Sequence, residues 1–305
     1  MENDPLVSII VNCYNSEQYL YDTILSVLGQ TYARWEMIFW DNCSTDNTPQ
    51  IIKQIRDARI KYYYAESKTS LGAARNLAME KVSGDYVCFL DSDDMFESEF
   101  LQRCVDVLKK NTDIGLVYTR YIHFTQRESW QSKGFSKDGV VKTGKLVSGY
   151  NIGMSAAMFR RSIIKEKNII FDTRFSLIED FDFFLKISSR SGAYYISEPL
   201  MRYRHHDNNA SKSDRWAEEL EQMIDSIKND NNYEALRPIC SKVRNLRCYY
   251  SIMTALDKKE RMKALQLILR HCFVDIGVLR YLFSVFFGKK AYLIIRKRID
   301  NLSHG

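Results

Sequence analysis

The stretch Tyr86-Val-Cys-Phe-Leu-Asp91-Ser-Asp93-Asp94 is an apolar strand that stops abruptly in three carboxylates within four positions. Uncompensated anions this close together at a buried strand end repel one another. They make most sense around a divalent cation with hard oxygen ligands, and a cation there points to a phosphorylated substrate. The plainer reading is that Ser92, Asp93 or Asp94 caps the helix starting near Phe96, since Asp and Ser favour that position and Asp suits a first turn.

Around this stretch, residues 6–122 alternate short β-rich runs with amphipathic helical patterns. Residues 6–11, 35–40, 60–64, 86–90 and 115–121 read as strands, and residues 16–29, 48–56, 71–82 and 97–110 carry helical apolar spacing between them. That order predicts an α/β fold with a doubly wound, mostly parallel sheet. Ligands of such sheets sit beyond the carboxyl ends of the strands, where strand order reverses. Three polar clusters fall there: Asn12-Cys-Tyr14-Asn15, Asp41-Asn42-Cys-Ser44-Thr45-Asp46, and the Asp91 group, all expected on one rim. Neither a dinucleotide-binding glycine motif nor a P-loop follows the first strand.

Beyond Gln126 a Ser/Lys/Gly-rich stretch to about Leu146 reads as loop or short antiparallel structure. Order resumes at 152–159, followed by a helix at 181–188 and a strand at 194–203. From Arg215 the pattern is helical, with breaks at 229–232, Pro238 and Gly288. The expected division is a catalytic domain over residues 1–214 and a helical, basic C-terminal region over 215–305.

With 305 residues, 45% of them hydrophobic, the chain can bury a sizeable core. No run of about 18 apolar residues suggests a membrane span. Glu2 and Asp4 replace the basic start of a signal peptide, so residence in the cytoplasm is expected. Seven cysteines without a CxxC pair read as reduced thiols. The net charge of +6 is concentrated late: eleven Lys or Arg face three acids between Lys258 and Asp300. Such a patch favours an anionic partner.

Each candidate site residue has a plainer role beside its functional one. Asp41 offers a carboxylate to a ring or ribose, whereas Asp46 suits helix capping. Arg75, in Leu71-Gly-Ala-Ala-Arg75-Asn76, either faces the same rim or lies on the surface. Glu179 and Asp180 precede an aromatic helix, where acids are normal, yet one of them suits a general base. His206, in the run from Tyr203 to Ser211, offers an imidazole to a metal or a phosphate, with Arg202 or Arg204 available to neutralise leaving-group charge.

With these residues in place the chain resembles the family 2 glycosyltransferases of GT-A fold. The match runs through residues 7–15, 41–46, 72–76, 84–94, 179–184 and 203–211, about two thirds of the chain. It departs from the family's Asp-Asp-Gly at Asn42 and Cys43. The resemblance implies an inverting transfer from a nucleotide-sugar, with a UDP-hexose as first candidate. Tyr14, Asn15 and Asp41 would line base and ribose, with Arg75, Ser92 and Asp93 near the donor. Asp91, Asp93 and His206 would hold Mg2+ or Mn2+, and Asp180 would be the base that deprotonates the acceptor hydroxyl.

The expected acceptor is a lipid-linked oligosaccharide or surface-polysaccharide precursor at the inner face of the cell membrane. Residues 278–299 mix apolar and basic side chains, suiting either an anionic membrane surface or packing on the protein or on a second copy of the chain. A sugar nucleotidyltransferase is a competing reading, but it would carry a Gly-rich triphosphate loop that residues 7–15 lack. A basic nucleic-acid-binding protein is another; no nucleic-acid motif supports it, and no nucleic-acid partner is expected.

Overall fold

A computed structural model of the chain describes residues 4–206 and 215–272. Two compact units divide the chain, Met1–Asn209 and Ala210–Gly305. The end of the polar run after His206, Gly288 and the stretch 278–299 lie outside the described residues.

The first unit opens with three strand–helix steps and a fourth strand: β1 (Val7–Cys13), α1 (Leu20–Leu28), β2 (Trp35–Asp41), α2 (Thr48–Gln54), β3 (Ile60–Tyr64), α3 (Leu71–Met79) and β4 (Tyr86–Phe89). β1, β2 and β4 are buried almost throughout, which explains their near-continuous apolar runs. There follow β5 (Met95–Phe96), α4 (Phe100–Lys110), β6 (Leu116–Phe124), β7 (Ser129–Gln131), β8 (Gly139–Val141), α5 (Thr143–Ser148), β9 (Ala157–Arg160), α6 (Arg161–Glu166), α7 (Glu179–Ser191) and β10 (Ala193–Arg204).

These strands form one ten-stranded sheet in the order β3-β2-β1-β4-β9-β6-β10-β5, with β7 beside β6 and β8 beside β10. β3, β2, β1 and β4 pair in parallel. β9 runs antiparallel to both β4 and β6, so β6 and its parallel neighbour β10 recover the direction of β4. Six strands therefore share one direction and end on one rim. β1 lies between β2 and β4, so strand order reverses beside it and leaves a crevice at its carboxyl end.

Local chemistry fixes these placements. α4 buries Phe100, Leu101, Cys104, Val105 and Leu108, one stripe of its surface. α3 starts at Ser70, whose hydroxyl accepts the Ala73 N–H at 3.4 Å. α1 begins at Leu20, later than the apolar spacing suggests, because side chains hold the preceding loop: Asn15 N–H donates to Ser44 Oγ at 2.9 Å and Ser16 N–H to Thr48 Oγ1 at 2.8 Å. Gly84 lets β4 close on β1, since a Cβ there would stand 2.7 Å from the Leu6 carbonyl oxygen and the Ser8 nitrogen.

At the opposite end of the sheet the buried Glu36 joins three strands and a turn. It accepts from Ser8 Oγ at 2.5 Å, Lys61 Nζ at 2.6 Å, and the Ser83 N–H and Oγ at 2.8 and 2.7 Å. Burial pushes its carboxyl up, but the bonds from Lys61, Ser8 and Ser83 prevail and hold it at about 2. A depressed carboxyl stabilises the fold above its ordinary range and stops doing so as pH falls through the folded value. Glu36→Gln is therefore expected to flatten the wild-type loss of stability between about pH 5 and 2, on the order of 3 kcal/mol. Urea unfolding at stepped pH would show it; equal slopes for both proteins would refute the assignment.

The second unit packs α8 (Trp216–Asn229), a 3-10 stretch (Asn231–Ile239), α9 (Cys240–Asp257) and α10 (Arg261–Cys272). Trp216 stacks on Tyr250 at 5.1 Å, and Arg247 pairs with Glu221 at 2.7 Å. Among the described residues no helix is long and apolar enough to cross a membrane, and six cysteines are free.

Candidate active site

The three polar clusters meet on the rim, and side-chain contacts link them. Ser92 Oγ donates to Ser16 Oγ at 2.8 Å, joining the loop after β4 to the loop after β1. Asn15, at φ 51°, accepts the Thr45 N–H on its Oδ1 at 2.8 Å and so joins the loops after β1 and β2. Tyr14 is 45% exposed, with Lys68 Nζ 3.4 Å from its ring centroid. It is a half-exposed ring directly after β1, with Lys68 covering one face.

Asp41 is fully buried, and both its oxygens are engaged: Oδ1 accepts the Ser44 N–H and Oδ2 the Tyr62 hydroxyl, each at 2.8 Å. Here it shapes the turn after β2, and each oxygen accepts one of these bonds with a second lone pair remaining. Cys43, where the resembled family carries glycine, takes φ 70° and donates its thiol to the Ala65 carbonyl at 3.4 Å. The left-handed turn is thus retained without the residue that adopts it most cheaply.

Arg75 is 3% exposed and joins two further parts of the site. Its Nη1 donates to Glu179 Oε1 at 3.2 Å and its Nη2 to Asp91 Oδ1 at 3.4 Å. Phe89 and Phe171 lie beside its guanidinium, with ring centroids 5.8 and 5.5 Å away. Phe171 stacks on Phe183 of α7 at 4.0 Å, which seats the start of that helix beneath the arginine. Glu179 Oε2 is buried without a hydrogen-bond partner.

Within the Asp-rich loop the three carboxylates have separate surroundings. Asp94 is 1% exposed; it accepts from Ser155 Oγ at 2.7 Å and the Arg204 N–H at 3.0 Å, so it braces the loop. Arg204 Nε also donates to the Asp93 carbonyl at 2.9 Å, and its Nη2 pairs with Asp22 at 2.9 Å. These contacts hold Arg204 against the Asp-rich loop and α1. Asp93 Oδ2 stands 2.7 Å from His206 Nε2. Enclosure raises the Asp91 carboxyl; Arg75 opposes that rise and the Asp93 charge adds to it.

Asp180, the second residue of α7, holds Oδ2 3.1 Å from the Tyr150 hydroxyl and accepts its neighbour Phe181 N–H on Oδ1 at 2.7 Å. Burial first, and then the Glu179 charge, push its carboxyl up to about 7, against the opposing effect of Arg75 and these two hydrogen bonds. Tyr150 lies in a stretch that reads as irregular in sequence. Nothing in its local pattern announces a role.

The donors available to a cation are hard oxygens, and the Asp91 carboxyl, raised in part by Asp93, is what a divalent charge would relieve. Among the described residues no three His, Cys, Asp or Glu side chains stand together as a ready ligand set. Asp91 and Asp93 therefore fit Mg2+ or Mn2+ with oxygens of a bound substrate completing the shell. His206 is a partner of Asp93, and ligating a metal through Nε2 would require that hydrogen bond to open.

Residues 8–166 match the family model described as Glycosyl transferase family 2. TuaG of Bacillus subtilis (strain 168), named for teichuronic acid biosynthesis, is 42% identical over 110 residues, 35% of this chain and 44% of TuaG. The UDP-Glc:alpha-D-GlcNAc-diphosphoundecaprenol beta-1,3-glucosyltransferase WfgD of Escherichia coli is 30% identical over 225 residues, 74% of this chain and 86% of WfgD. The crystal structure of S. aureus TarS 1-349 in complex with UDP superposes with a TM-score of 0.69 at 19% identity, covering 94% of this chain and 87% of that one. That likeness is one of fold, and the fold is GT-A.

Proposed function

Because the chain belongs to glycosyl transferase family 2 and is a glycosyltransferase, we propose that it is a metal-dependent, inverting enzyme. It moves a sugar from a nucleotide-sugar, with a UDP-hexose as first candidate, to a hydroxyl of a lipid-linked saccharide at the cytoplasmic membrane face. The observation that supports this most is the buried Arg75, which ties Glu179, and with it the adjacent Asp180, to the Asp91 end of the carboxylate loop. One residue thereby brings a group suited to proton abstraction beside a group suited to a diphosphate. Relatives named for UDP-glucose and for a diphosphoundecaprenol acceptor support the choice of substrates.

In this reading Tyr14 offers its half-exposed ring to the base, while Asn15 and Asp41 hold the loops that border it. Asp91 and Asp93 would hold Mg2+ or Mn2+, with His206 orienting Asp93. The bound cation would neutralise charge on the departing nucleoside diphosphate. Asp180 takes the proton of the acceptor hydroxyl as that oxygen attacks the face of the anomeric carbon opposite the leaving group, which inverts configuration. Tyr150, donating to Asp180, fixes the direction of the carboxylate.

Asp93→Ala is expected to weaken Mn2+-dependent binding of UDP-glucose by at least about tenfold, with binding in EDTA unchanged. Calorimetric titration of both proteins, with and without Mn2+, provides the measurement. Metal-dependent affinity equal to that of the wild type would remove Asp93 from the donor site.

A further inference from the structure

The carboxyl ends of β6 and β10 carry an aromatic cluster that the reaction above does not use. Trp130, the middle residue of β7, pairs in register with His123 of β6. Its indole stacks on the His123 ring at 5.3 Å and 17°, and on the His205 ring at 5.1 Å and 24°. The two imidazoles hydrogen-bond to each other, Nδ1 to Nε2, at 2.9 Å. Tyr203 closes edge-on against both, 5.6 Å from His123 and 5.0 Å from His205. This floor supports one face of the indole, and the tryptophan remains 42% exposed.

Folding alone gives little reason for this arrangement. β7 is three residues long and exposed at every position, so its tryptophan contributes little to the core. A large aromatic side chain stacked on two imidazoles, themselves braced by Tyr203, and left open to solvent is built for contact with a ligand. Its place on the rim says which ligand. His205 directly precedes His206, the partner of Asp93, and Tyr121, 4.9 Å from His123, stands close enough to Asp180 for that charge to act on its hydroxyl. The platform thus lies on the same rim as the proposed base, two side chains removed from it, on the half of the sheet away from β1 and β2.

We propose that Trp130 is the stacking platform for a sugar ring of the acceptor saccharide, an inference that rests on the transferase reading above. The apolar C–H face of a pyranose matches an indole face, and ring stacking orients a saccharide while leaving its hydroxyls free for reaction. Tyr203 and the histidine pair position the indole without touching the sugar.

The test measures saccharide binding separately from turnover. A panel of hexose and N-acetylhexosamine disaccharides, together with N-acetylglucosamine α-linked through diphosphate to a short alkyl chain, is titrated calorimetrically into wild type, Trp130→Ala and Trp130→Phe. The best wild-type ligand is expected to bind Trp130→Ala about tenfold more weakly and Trp130→Phe within about threefold of wild type, with UDP-glucose affinity equal in all three. Saccharide binding that survives alanine, or fails in the wild type across the panel, overturns the inference; so does an equal loss of UDP-glucose affinity, the mark of a merely structural role. Tryptophan-dependent saccharide binding in a protein that does not bind nucleotide-sugars would uphold the platform and sink the transferase reading instead.

Discussion

Asp180→Asn is expected to lower the rate of sugar transfer about 10³-fold while leaving UDP-sugar affinity within about twofold. The amide occupies the same space, and its oxygen can still accept the Phe181 N–H, but it has no lone pair basic enough to take a proton. A carboxyl held near 7 by burial and the Glu179 charge adds a pH signature. For the unliganded enzyme, kcat/KM should rise about tenfold per pH unit below 7 and level off above it. The stability effect has the opposite sense, because the fold raises this carboxyl. Its contribution is fully present below the ordinary carboxylate range and is lost as pH rises through about 7. Wild type should therefore lose stability relative to Asp180→Asn over that interval. Rate profiles of the two proteins decide the matter, and normal turnover by the asparagine variant would remove Asp180 from the chemistry.

The second large effect falls on stability. Arg75→Met should destabilise the first unit by about 3–5 kcal/mol, because it strands the Glu179 carboxylate away from water without a cation. Both partners are enclosed, with Arg75 3% and Glu179 8% exposed. Adding Glu179→Gln to Arg75→Met should restore a large part of the loss, since a neutral amide needs no counter-charge. Guanidinium titrations of the wild type, the single variant and the double variant separate two causes. A double variant as unstable as the single one would assign the effect to lost packing on Phe89 and Phe171 rather than to charge.

Much of this arrangement is legible in the chain because simple rules govern it. The apolar runs at 6–11, 35–40 and 86–90 are buried parallel strands, and the polar residues that end them lie on one rim because parallel strands share a direction. The reversal at β9 is not legible: four residues carry no sign of strand direction, and only pairing with both β4 and β6 reveals it. The partners of the site residues are hidden for a similar reason. Three consecutive tyrosines follow Lys61, and it takes the register of β3 on β2 to bring the Tyr62 hydroxyl to Asp41. Tyr150, from the link between α5 and β9, and Ser155, from the 3-10 turn that leads into β9, reach Asp180 and Asp94 through tertiary packing that no local pattern announces. Asp94 reads like its two neighbours, yet it is the one sealed inside as a brace.

The single counter-running strand between β4 and β6 bears on how such enzymes diversify. It lets two groups of like-directed strands open onto one catalytic edge while sharing little backbone. Arg204 and His206 tie the end of β10 to the carboxylate loop, whereas the Trp130 side, where β7 pairs with β6 rather than with the strands beside the crevice, is freer to change. If Trp130 is the acceptor platform proposed above, a lineage built this way could exchange the saccharide it extends while keeping the sugar it delivers.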